Sequence, residues 1–254
     1  MDARPPPDQD MLGIIGISPI GLEEAAALIA SRPAGAPFGY VVTANAQHLV
    51  LLAQPGNPLR PAYEAAWLRL NDGQIPRRLA QWASGARFGL ATGSDLAVLL
   101  LREYISAEDQ ISIIGGSPGL ADALRRIYRV RHVHLHDPPM GYIDRPEAVA
   151  QAIRFVREHP SRFLFVTTGA PRSEQLLLRL SREEGLTGTG LALGSALRFA
   201  VGEVPRAPGW MRAAGLEWLF RLMSEPRRLW RRYAVESLPI FRLAWAERRR
   251  RRQM

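Results

Sequence analysis

The chain has 254 residues, 47% hydrophobic and 22% charged, which suits one well-buried domain with an appendage and excludes wholesale disorder. It contains no cysteine, so disulfides, thiolate zinc sites and a cysteine nucleophile are excluded. The net charge of +9 is local: residues 1–205 carry 20 arginines and 20 acidic residues, and residues 206–254 carry 13 arginines and 4 acidic residues.

In chain order, residues 1–10 are polar and proline-rich, without the apolar stretch of a secretory signal, and are expected to form a mobile leader. From residue 11 to 205, short apolar runs alternate with longer amphipathic segments, the pattern of β/α units with buried strands. The predicted strands are Leu12–Ile17, Tyr40–Thr43, Trp67–Leu70, Phe88–Ala91, Ile111–Gly115, His132–Leu135, Phe163–Thr167 and Gly190–Leu193. Helical patterns fall at Leu22–Ala30, Ile75–Ala83, Asp95–Tyr104, Ala121–Tyr128, Pro146–Glu158 and Pro171–Glu184. The expected fold is therefore a Rossmann-like, doubly wound α/β domain with a mostly parallel sheet. Its ligands would bind beyond the carboxyl ends of the strands.

Residues 206–254 read differently, as a helical, basic appendage holding four of the six tryptophans (Trp210, Trp218, Trp230 and Trp245). Tryptophan and arginine on amphipathic helices suit a membrane surface, because the indole and the arginine stem tolerate lipid while the polar tips stay wet. A helix pair packed on the main domain with solvated arginines fits the same pattern. The longest apolar stretch, Leu238–Ala246, is interrupted by Arg242 and falls short of the roughly 20 residues that span a bilayer.

Five segments follow predicted strands or lie in the tail and carry chemistry-bearing residues. Thr43 and Asn45 offer hydroxyl and amide groups to a sugar or phosphate, and either could equally cap a helix. Asn71-Asp72-Gly73 places a carboxylate at a strand end, where it could act as general base; Asp-Gly is also a common turn. Gly115 and Gly116 lie in a glycine-rich bend that a diphosphate could approach, although the segment matches neither the P-loop nor the dinucleotide fingerprint. Gly169, Pro171 and Glu174 shape a loop into a helix, with Glu174 facing a ribose or sugar hydroxyl or favouring the helix start. In the tail, Arg228 and Arg231 would share a helical face suited to a diphosphate.

The ordered set Thr-x-Asn, Asp-Gly, Gly-Gly, Gly-x-Pro-Arg-x-Glu, Arg-Ala-Pro and Glu-Trp-(x)2-Arg-Leu-(x)2-Glu-Pro-x-Arg-(x)3-Arg-Tyr resembles the WecG/TagA/CpsF family of glycosyltransferases over about Leu12 to Tyr233. The resemblance implies an inverting transfer, without metal or other cofactor, from a UDP-sugar to a polyprenyl-diphosphate-linked saccharide. It implies Asp72 as catalytic base, Thr43 and Asn45 in the acceptor or donor pocket, and Gly115 and Gly116 facing the nucleotide. Arg221, Arg228 and Arg231 would neutralise the diphosphate as the tail closes, and Asp95, Gly169, Pro171, Glu174 and Arg206 complete the expected substrate-binding set. The implied partners are the donor, the lipid-linked acceptor and an anionic membrane surface, with a homo-oligomer open, and the implied location is the inner face of the cytoplasmic membrane.

Two positions depart from the family pattern: Ser173 stands where glutamine is common, and Arg198 where relatives tend to carry an acid. Two rival readings share parts of the pattern. A Rossmann oxidoreductase fits the core but lacks Gly-x-Gly-x-x-Gly and a ribose-binding acid, and a nucleic-acid-binding protein would use the run Arg248–Arg252. His134, His136 and Asp137 invite a metal reading but offer no further ligand, and the Asp8–Asp10 pair lies in the expected leader.

Overall fold

The computed structural model describes residues 4–253, except for the side chains at 212, 213 and 228. The main sheet is built from six short strands, β3 (Gly39–Ala44), β4 (Leu68–Asn71), β5 (Gln110–Ile114), β6 (His132–His136), β7 (Phe163–Val166) and β8 (Thr189–Ala192), preceded by the small hairpin β1 (Gln9–Met11) and β2 (Ile15–Ile17). All pairings in the main sheet are parallel, in the order β4-β3-β8-β7-β5-β6. The chain leaves β3 for β4 at one edge, crosses to β5 and β6 at the other, and returns inward through β7 and β8. The winding thus changes direction beside β3, which is where open α/β sheets place their ligands.

Successive side chains in a strand point to opposite faces, and this period of two sorts the residues into two cores. Tyr40, Val42, Leu164, Val166 and Ala192 join the core on one face, and Val41, Phe163, Phe165 and Leu191 join the other. The second face is covered by α1 (Leu22–Ser31), and the first begins with α2 (Ala46–Leu52), α3 (Arg60–Glu64) and α4 (Gln74–Ser84). The second also takes α5 (Gly93–Leu99), which continues as a π turn to Tyr104, and α6 (Leu120–Tyr128); α7 (Pro146–Glu158) and α8 (Arg172–Leu180) return to the first, and α9 (Ala196–Ala200) to the second. Phe163 and Phe165 are fully buried, each stabilising the fold by about 1.5–3 kcal/mol. The doubly wound parallel α/β fold is the one its sequence pattern predicts.

Local differences have physical causes. The predicted strand Leu12–Ile17 is broken by a turn, because Leu12 and Gly13 both adopt left-handed backbone (φ 61° and 69°) and Asp10 accepts the Gly13 amide at 2.9 Å. β1 pairs antiparallel with β2 as a result. Asp8 forms an ion pair with Arg69, so residues 8–10 belong to the folded body and not to a mobile leader. Phe88–Ala91 joins no strand ladder. Its polar groups go to separate partners: Gly89 N to Pro19 O at 2.8 Å, Asn71 Nδ2 to Gly89 O at 3.0 Å and Ala91 N to Asn71 O at 3.0 Å. The helices α2 and α3 go beyond the predicted set, and α8 stops at Leu180, short of the predicted Glu184.

The tail forms α10 (Gly209–Ala214), α11 (Glu217–Ser224), α12 (Pro226–Arg231) with a π turn over Arg232–Glu236, and α13 (Pro239–Arg252). α13 packs against α4 and α2, burying Ile240 and Ala244 in the first core. Arg248 caps this contact, its guanidinium lying 4.2 Å over the Trp82 ring and donating to Trp82 O at 3.0 Å.

Candidate active site

β3 runs out at Ala44, and the next residue turns the chain into α2. Asn45 caps that helix, its side-chain oxygen accepting from His48 N at 3.1 Å, while the same residue lines a cleft of about 550 Å³. Thr43 lies behind the cleft wall. It is buried, its hydroxyl is 3.5 Å from Ala192 O, and its carbonyl accepts from the Tyr63 hydroxyl at 3.0 Å.

The neighbouring strand β4 delivers Asp72. Its amide continues the parallel ladder by donating to Ala44 O at 2.8 Å, and its carboxylate oxygen Oδ1 accepts from Gly93 N at 3.3 Å. The side chain lines the same cleft, opposite Glu217, Trp218 and Arg221 of α11 and Tyr233 of the following turn. Burial pushes the Asp72 carboxyl up to about 6; Arg221 and Arg232 oppose that shift and Glu217 adds to it. A carboxyl titrating there is mostly ionised at neutral pH yet still accepts a proton readily, which is the property of a general base.

Arg221 is the cation facing Asp72. One of its edges is held by Glu217, with Nε at 3.1 Å and Nη2 at 2.5 Å from the same oxygen, and Nη2 also reaches Ser94 Oγ at 3.2 Å. The guanidinium lies 4.5 Å over the Phe199 ring. Gln47 bridges to Glu236 at 2.6 Å, tying α2 to the tail across the cleft.

The remaining expected residues are placed as follows. Asp95 and Arg206 hold each other at 2.6 Å, and Asp95 also accepts from the Thr92 hydroxyl at 2.7 Å while lining the cleft. Arg231 lies outside the cleft, exposed and 3.5 Å from Glu236; the side chain of Arg228 falls outside the described residues. Gly115 and Gly116 follow β5 with φ of 86° and 126°, and Gly169 precedes a cis Ala170–Pro171 bond after β7. These residues do not line the cleft. In the turn after α9, Glu203 accepts from Ser117 Oγ at 2.5 Å and pairs with Arg198 of α9 at 3.2 Å. Ser173 is buried 3.2 Å from Thr168 Oγ1. Glu174 is 3% exposed, and burial pushes its carboxyl up to about 7. It is buried and does not line the cleft.

Two of the three histidines of β6 pack on rings, His134 tilted against His159 at 4.3 Å and His136 stacked on Phe155 at 5.3 Å, while the exposed His132 lies 3.9 Å from Glu108. Among the described residues no three His, Asp, Glu or Cys side chains gather as a metal-binding group. Asp8 and Asp10, the one Asp-x-Asp, are engaged with Arg69 and with Gly13 and Arg251.

A family model for the glycosyl transferase WecG/TagA/CpsF family matches residues 10–254, both the sheet with its strand-end carboxylate and the tail that covers it. The chain belongs to this family. It is accordingly a glycosyltransferase of the kind that serves cell-surface polysaccharide synthesis, with a sugar donor and an acceptor as partners. Membership displaces the oxidoreductase and nucleic-acid readings of the same features. The sequence reading did not assign Glu217, Ser94, Arg232 or Tyr233 to this glycosyltransferase's site. Glu217, Arg232 and Tyr233 stood inside the tail motif it quoted, but a linear motif does not say which side chains turn inward.

Proposed function

We propose that this glycosyltransferase moves a sugar with inversion from a UDP-sugar to a polyprenyl-diphosphate-linked saccharide, without a metal, on the inner face of the cytoplasmic membrane. The observation that carries the reading is the pairing of Asp72 with Arg221 across one cleft. Asp72 takes the proton of an acceptor hydroxyl, whose oxygen attacks the anomeric carbon as the bond from that carbon to the diphosphate oxygen breaks. The electron pair leaves with UDP, and Arg221, with Arg232 beside it, offsets the negative charge that develops there. Arginine supplies fixed positive charge and N–H donors in the place where other transferases use a divalent cation.

The exposed side of the tail supports the lipid part of the proposal. Leu238, Phe241 and Trp245 of the tail, and Trp82 of α4 under Arg248, are each about half exposed, in or next to the helix that carries Arg242 and the arginine run. Leu238 and Phe241 also line the cleft, so an apolar rim runs from the reacting end of the site to the surface. Among the described residues no helix is long and apolar enough to cross a membrane, and contact from one side is the mode this surface suits. The direct test is UDP release from a panel of UDP-sugars in the presence of a polyprenyl-diphosphate-linked acceptor. Acceptor-dependent release from at least one donor is expected, and its absence across the panel would overturn the reading.

A further inference from the structure

The mechanism uses Asp72 and Arg221, but neither Glu217 nor Ser94. Both of these hold Arg221, and they do so on one side of it. Of the five guanidinium N–H groups, those on Nε and Nη2 are the ones engaged by Glu217 and Ser94. Nη1 makes no hydrogen bond to any of the described residues. Phe199 closes one flat face of the group at 4.5 Å, and both Arg221 and Glu217 line the cleft that contains Asp72.

An arginine side chain has about 2 kcal/mol of rotamer entropy to lose on being fixed. Here that loss is already offset in the folded protein by a two-pronged ion pair, a hydroxyl and a ring. Ser94 comes from the start of α5, one residue after the Gly93 amide that holds Asp72. The base and the cation are therefore registered against the same turn of chain. Such prior fixing is what allows a charged donor to act on a developing charge without reorganising during the reaction.

We propose that Glu217, Ser94 and Phe199 form a cradle that fixes Arg221 with its Nη1 nitrogen free for the diphosphate of the departing nucleotide, so that Glu217 and Ser94 are positioning residues of the transfer. The proposal rests on the glycosyltransferase reading of this cleft and deepens it. It also bears on Asp72, because the Glu217 carboxylate is one of the charges that keep the base from titrating lower.

Binding of UDP to the full-length chain, followed by calorimetry, separates this cradle from a merely structural ion pair. Arg221→Ala is expected to weaken UDP binding by about 10- to 100-fold, the loss of a charged hydrogen bond. Its empty cradle should accept free guanidinium ion, so millimolar guanidinium chloride should restore a large part of the affinity, whereas the same concentration of sodium chloride should not. In Arg221→Ala combined with Glu217→Gln the guanidinium effect should disappear, and Ser94→Ala in place of Glu217→Gln should reduce it. Equal restoration in the Arg221→Ala chain and both double variants would overturn the cradle while leaving the glycosyltransferase reading intact. So would a failure of guanidinium to act on Arg221→Ala alone. If the unaltered chain binds no UDP, inorganic pyrophosphate serves as the second probe. The same guanidinium pattern with pyrophosphate would retain the cradle and overturn only the uridine nucleotide, and no binding of either probe would overturn both readings.

Discussion

Replacing Asp72 with asparagine should move activity and stability in opposite directions. The isosteric amide keeps the packing and can still accept from Gly93 N, but it can no longer take a proton, so turnover should fall by about 10²- to 10⁴-fold. Burial raises the carboxyl from 3.8 to about 6, a shift of about 2 pH units, which corresponds to about 3 kcal/mol. The unfolded chain ionises near the lower value and the folded chain only near the higher one. Stability from this group is thus complete below pH 3.8 and lost as the pH rises to about 6. The variant carries no such loss, and at pH 8 it should be more stable than the parent by up to about 3 kcal/mol, less whatever the cleft's solvent screens. Parallel urea titrations at pH 4 and pH 8, with turnover measured by UDP release, test both halves. Parent turnover should rise with pH through about 6, and the residual activity of the variant should lack that limb. Near-normal turnover would refute the assignment of the base, and a less stable variant at pH 8 would refute the account of its environment.

Glu174 gives a second ionisation signature, away from the cleft. Its carboxyl is raised from 4.5 to about 7 by burial, so Glu174→Gln should gain on the parent by about 3 kcal/mol between pH 4 and pH 8; a constant difference in melting across that range would contradict it. At Gly89 an added Cβ would sit 2.1 Å from Ile20 O. Gly89→Ala should therefore cost about 3 kcal/mol in chemical denaturation, and an unchanged midpoint would show that the loop moves freely. On the tail, Phe241→Ser with Trp245→Ser should weaken binding to phosphatidylserine vesicles by at least about tenfold per buried ring. Added salt should weaken both proteins further, and equal vesicle binding by the two would remove the apolar surface from the membrane proposal.

Much of this protein was legible in its sequence because the relevant signals are local. Buried parallel strands must be short and apolar, so Tyr40–Thr43, Ile111–Gly115 and Phe163–Thr167 announced themselves, and α7 was delimited by Pro146 and Glu158 as predicted. A carboxylate directly after an apolar run, as at Asp72, could be marked as a strand-end residue without coordinates. Where geometry is set by distant partners, the linear pattern failed. Phe88–Ala91 has a strand's composition, but its polar groups are taken by Pro19 and Asn71. Leu12 is an ordinary apolar residue until the hairpin turns it left-handed.

The tail shows the division most clearly. Its charge and tryptophans could be counted from the sequence, and its motif tied it to a family. Which arginine enters the cleft depends on how α11 sits against α5 and α9, and that is a matter of packing. The fold selects Arg221 and Arg232 for the cleft and leaves Arg231 on the surface. It also pairs Arg206 with Asp95, two residues the sequence had assigned separately to substrate. The sequence by itself determined the kind of sheet, the strand-end carboxylate and the basic tail, because periodicity and composition act over a few residues. Only the tertiary structure decided the orientation of Arg221, since that depends on Glu217 in its own helix, Ser94 from 127 residues away and a ring on α9, held together by the packing of the whole chain.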